Sequence, residues 1–190
     1  INTSMTSSIW YVSGTYCKGS RISSSYPSRY KPKGTSLMMR RRLYSPIFNL
    51  FSININIFKV EKLTGRTSYD KYKEYKTYIE QLDDRIKGVT IAESRESSAS
   101  TSYSVNKGEE LSFCLKSKKT GKHHEINLLM YVALHEMAHI ACPETGHGEL
   151  FKELFKFLTE EAIHINIYLK DDYSAQPVEY CGMVLSSSIV

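Results

Sequence analysis

Residues 127–141 read Asn-Leu-Leu-Met-Tyr-Val-Ala-Leu-His-Glu-Met-Ala-His-Ile-Ala, and this stretch decides the fold. Apart from Asn127, His135, Glu136 and His139 it is apolar or aromatic all round, which predicts a helix buried on most sides. Pro143, which lacks the N–H a continuing helix needs, forces its end. Residues four apart on a helix stand one above the other. His135 and His139 therefore reach one ion at ~2.0–2.1 Å, while Glu136 projects beside it. Zinc held in this way lowers the pKa of a water whose proton the glutamate takes. Without a partner, burying such groups costs roughly 1–3 kcal/mol per neutral polar group, and more for the charge. A metal removes that cost.

A catalytic zinc needs a third protein ligand and an open fourth position. His147 is the first candidate, because Pro143 and Gly146 let the chain reverse and bring it back at the mouth of the next helix. Glu160 and Glu161 on that helix are the usual alternative, and His164 and Cys142 also remain open. The pair His123-His124 precedes the buried helix in a basic turn and is expected to face solvent.

Outward from this centre, Leu150, Phe151, Leu154, Phe155, Leu158, Ala162 and Ile165 mark the inner face of a helix over 149–165. Upstream, Tyr72, Tyr75, Ile79, Leu82 and Ile86 form a stripe on a helix capped by Ser68 and stopped by Gly88. Residues 92–101 read as a polar loop. Strands over 102–105 and 110–115 flank Asn106-Lys107-Gly108, a hairpin signal. A last strand is expected around 178–185. The fold class is α+β.

Composition adds limits. At 41% hydrophobic and 24% charged the chain is globular, and no run approaches the ~18–20 apolar residues of a membrane span. Cys17, Cys114, Cys142 and Cys181 lie far apart with no C-x-x-C pair, which predicts reduced thiols in a reducing, cytosol-like compartment. The net charge of +5 is uneven: residues 1–60 hold nine basic side chains and no Asp or Glu. Residues 1–65 are expected to be an extended basic arm on a domain over 66–190, with a short strand at 52–58. Arg40, Arg41 and Arg42 suit nucleic acid or another polyanion. The chain begins at Ile1 and not Met, which predicts a processed chain or part of a longer one.

The run His135-Glu136-Met137-Ala138-His139, then Gly146-His147-Gly148-Glu149-Leu150-Phe151, resembles the zincin metallopeptidases of the SprT and WLM groups. There a third histidine follows H-E-x-x-H with an aromatic four residues later, and His147 and Phe151 keep that spacing. The loop between His139 and His147 is longer than the usual WLM spacing. The run from Tyr103-Ser104-Val105-Asn106-Lys107-Gly108-Glu109 through Cys114-Leu115 and Asn127 to Tyr180-Cys181-Gly182-Met183 is similar to WLM-type metallopeptidase-like proteins of large DNA viruses. The likeness covers about residues 66–190.

The resemblance implies a zincin-like fold, a small antiparallel or mixed sheet on two helices, with an edge strand along the cleft. Strand 110–115 is the candidate for pairing with substrate backbone. It implies a zinc-dependent endopeptidase acting on protein or peptide, with Glu136 as general base and His135, His139 and His147 as ligands. Tyr180 is a candidate donor to the oxyanion, and Met183 is either a floor beneath the zinc or a core methionine. Location follows as virion, host cytoplasm or both. The alternative is a virion structural (minor capsid) protein that uses the domain as a packing module and contacts other virion proteins through residues 1–60. A nucleic-acid-binding module is the third reading.

Overall fold

The computed structural model of the chain describes residues 68–94 and 101–190. The arm, its arginine cluster and the strand expected at 52–58 lie outside the described residues, as do the side chains of Ser68 and Tyr72. Among the described residues, three helices, a three-stranded sheet and a two-stranded one follow in the order α1 (Ser68–Ile86), β1 (Thr90–Glu93), β2 (Tyr103–Val105), β3 (Glu110–Phe113), α2 (Ile126–Ala141), α3 (Glu149–His164), β4 (Val178–Tyr180) and β5 (Met183–Leu185). The α+β class holds, and the larger sheet is mixed.

Helix α2 is the centre of the domain. From Leu128 to Ala141 every residue but His139 is buried. The Cys142 amide donates to the Ala138 carbonyl and Pro143 then ends the ladder, as its missing N–H requires. Helix α3 packs on α2 through Phe151, Leu154, Phe155, Leu158 and Ala162, and also buries Phe157, whose ring meets Tyr75 of α1 at 5.3 Å. On α1, Ile79 and Leu82 are buried and Tyr75 and Ile86 half-buried, as the stripe predicts. Its polar side chains also work: Gln81 Nε2 donates to the Ile140 and Ala141 carbonyls, and Arg85 Nη1 to Ile140. These acceptors belong to the last turn of α2, where a helix leaves carbonyls unsatisfied.

The sheet departs from the sequence reading in three places. Its order is β1-β3-β2, with β1 parallel and β2 antiparallel to β3. Strand β3 is therefore the middle strand, not the open edge along a cleft. Leu111, Ser112 and Phe113 are all buried because neighbours cover both sides and helices the face. The segment expected to open a polar loop at 92 instead begins inside β1, which is too short and too polar to show a period of its own. The single terminal strand is a hairpin, β4 pairing with β5 across Cys181 and Gly182, both with positive φ. The β2–β3 hairpin stands where Asn106-Lys107-Gly108 predict it.

The cysteine reading needs correction. Cys114 and Cys181 form a disulfide that ties the end of β3 to the β4–β5 turn, 67 residues away. These two are not the reduced thiols expected, so the inference of a reducing compartment falls with them. Cys142 is free and buried. Wide spacing hid the pair, because the sheet and hairpin bring together residues that no local pattern relates.

Candidate metal centre

His135 and His139 project from consecutive turns of α2, and His147 enters from the loop before α3. Their Nε2 atoms form a nearly equilateral triangle with sides of 3.2, 3.1 and 3.2 Å. Three nitrogens that close on one another cannot all be satisfied by protons, since a hydrogen bond wants one donor in line with one acceptor. Around a tetrahedral ion at ~2.0–2.1 Å, ligand nitrogens stand about 3.3 Å apart. The triangle fits such an ion. Among the described residues these three histidines are the one cluster of metal-ligating groups.

Burial biases each ring toward its neutral form. Burial, with the neighbouring imidazoles, holds His135 well below its ordinary value. Burial first, then His147 and the Lys107 ammonium, brings His139 down to about 3. Burial also lowers His147. A neutral imidazole presents the lone pair that a metal takes. Phe151 packs against all three rings, with centroids at 5.0, 4.3 and 4.7 Å from His135, His139 and His147, and Phe155 meets His135 edge-on at 5.2 Å.

Glu136 is 1% exposed, and neither carboxylate oxygen has a hydrogen-bond partner among the described residues. Burial raises its pKa to about 8. It shares a cleft with His135, Ser102, Tyr180 and Met183. The Tyr180 hydroxyl meets Ser102 Oγ at 2.5 Å, and Ser102 Oγ accepts the Cys114 amide.

The other candidates stand elsewhere. Glu161 is buried in α3, Glu160 pairs with Lys156 at 3.9 Å, His164 is exposed, and the buried Cys142 lies outside the cluster. His124 is buried, contrary to the reading of both residues as solvent-facing. Its Nε2 accepts the Cys181 amide and its ring packs on Tyr180 at 4.9 Å. Sequence reasoning missed Ser102, His124 and Lys107. Only Lys107 carried a signal, its place in a hairpin turn.

The sequence compares with proteins from three viruses. It is 51% identical over 125 residues to an uncharacterized protein of Acanthamoeba polyphaga mimivirus, covering 66% of this chain and 64% of the relative. It is 33% identical over 111 residues to one of Invertebrate iridescent virus 6, covering 57% and 59%, and 30% over 107 residues to one of Invertebrate iridescent virus 3, covering 55% and 62%. These relatives are proteins of large DNA viruses. The chain spans about three fifths of the length of the curated relatives it matches. No family model matches it, and no solved structure does. No described helix is long and apolar enough to cross a membrane.

Proposed function

We propose that the chain is a zinc-dependent metallopeptidase, with His135, His139 and His147 as ligands and Glu136 as general base. One observation carries this reading: three imidazole nitrogens converge, and a buried carboxylate with no hydrogen-bond partner among the described residues shares a cleft with one of those rings. A structural site is closed by a fourth protein ligand, whereas a catalytic one keeps three and an open position. Three are present among the described residues. A zinc ion bound there would supply Lewis acidity, acidifying a water and polarising the scissile carbonyl.

The chain's own residues do the rest. Glu136, ionised beside a bound cation, would take a proton from the attacking water and return it to the leaving amine. Ser102 Oγ accepts the Cys114 amide and meets the Tyr180 hydroxyl, and we assign the Ser102 proton to that second contact. The Tyr180 proton is then left for the oxyanion that develops on the carbonyl. With β3 closed off in the middle of the sheet, β2 is an outer strand, and Ser102 just before it lines the cleft, so substrate backbone would pair along that edge.

The test is hydrolysis of unstructured, fluorescently labelled protein by the zinc-loaded chain and by Glu136→Gln, with metal content measured on both. Wild-type cleavage that Glu136→Gln abolishes, at an unchanged zinc ratio near one, is expected. Cleavage that survives the substitution overturns the mechanism.

A further inference from the structure

The tip of the β2–β3 hairpin lies against the end of the metal-site helix. Asn106 and Lys107 both take left-handed backbone, φ 45° and 53°, and Gly108 follows at φ 116°. A Cβ on Gly108 would meet Ile140 Cγ2 at 3.4 Å, which shows how closely the turn approaches α2. From this position Lys107 Nζ donates to the Cys142 carbonyl at 2.5 Å and to the Glu144 carbonyl at 2.7 Å. Gln81 and Arg85 already take the Ile140 and Ala141 carbonyls. The two acceptors left to Lys107 lie further on, at the cap and in the loop that leads to His147.

That loop is where the site is weakest. His135 and His139 are fixed by a buried helix, but Pro143 to Gly146 are exposed, and Gly146 turns the chain at φ 83°. Ordering a loop at the moment of binding subtracts from affinity, and a loop already held avoids that loss. We infer that Lys107 is a positioning residue for the third metal ligand, its ammonium holding the 142–144 backbone so that His147 Nε2 reaches the other two imidazoles before an ion arrives. The inference rests on the metal reading above. It also opposes the charge. An ammonium close enough to disfavour a proton on His139 disfavours a metal cation as well. Positioning and simple electrostatics therefore predict opposite signs when Lys107 is removed.

The experiment measures zinc affinity of the full chain by competition with a chromophoric chelator, for wild type, Lys107→Met and Lys107→Arg, and again with His147→Ala added. Loss of Lys107 in Lys107→Met should weaken zinc roughly 10- to 100-fold, the range for residues that orient a ligand, and Lys107→Arg should recover most of it. In the His147→Ala background Lys107→Met should cause no further weakening, because no third ligand is left to position. Unchanged or tighter zinc in Lys107→Met overturns the inference, as does equal weakening in both backgrounds, which marks a merely structural role. Should Lys107→Met fail to fold, Lys107→Gln is read by the same criteria. A wild type that takes up no zinc overturns the metal reading and this inference together, whereas a wild type that binds zinc no better than Lys107→Met overturns this inference alone.

Discussion

Ser102 and Tyr180 meet hydroxyl to hydroxyl at 2.5 Å across 78 residues of chain, and both line the cleft that holds Glu136. Ser102 stands just before β2 and Tyr180 ends β4 in the C-terminal hairpin, so this contact ties the entry of one sheet to the other on one wall of the cleft. Tyr180→Phe keeps the ring and its packing on His124 but removes the proton that the mechanism assigns to the oxyanion. Loss of one such donor costs about 10²–10³-fold in kcat. Steady-state kinetics should show that fall with KM little changed, and an unaltered kcat would reduce Tyr180 to a wall residue.

Glu136 predicts how the metal-free protein responds to pH. Its folded pKa of about 8 lies above its ordinary 4.5, so between these values the folded state keeps a proton that the unfolded chain has released. Stability therefore falls as pH rises through that window, by at most about 1.4 kcal/mol per unit, and levels off above it. The three histidines act in the opposite direction on the acid side. Their folded values lie below 6.5, so their cost to the folded state appears only as pH drops under 6.5. Urea melts of chelator-treated protein from pH 6.5 to 9 should show the decline in wild type, and Glu136→Gln should lose it.

Phe151 touches all three imidazoles and is 2% exposed. Truncation to alanine leaves a cavity and should cost about 3–5 kcal/mol in metal-free stability. It should also weaken zinc, since the rings lose the surface that orients them. Denaturation and chelator competition on the same variant measure both effects. A stability loss with zinc affinity intact would make Phe151 a core residue alone.

The Cys114–Cys181 disulfide closes a long loop, and its removal should cost about 2–5 kcal/mol. Cys181→Ser, or wild type with a dithiol reductant, should melt at a lower temperature than the oxidised protein. Alkylation of unfolded, unreduced chain followed by peptide mass mapping should label Cys142 and spare Cys114 and Cys181. Labelling of all three would overturn the pairing.

Much of the site was legible in the residue order because its geometry is local. The i, i+4 pair His135 and His139 shares a helix face wherever that helix sits, and the surrounding apolar residues require burial. Pro143 and Gly146 likewise mark a stop and a reversal. The hairpin at Asn106-Lys107-Gly108 was readable for the same reason: its turn chemistry lies within a few residues.

Tertiary packing alone brought His147, and not Glu160 or Glu161, to the other two imidazoles, put β3 between two neighbours, and paired Cys114 with Cys181. It also turned His124 inward and brought Lys107 to the loop that carries His147. Each of these joins residues from different elements, and their meeting depends on how the helices and sheets pack. Backbone periodicity carries information over a turn or two of helix. Which distant side chains then come within bonding distance follows from burying the whole core at once.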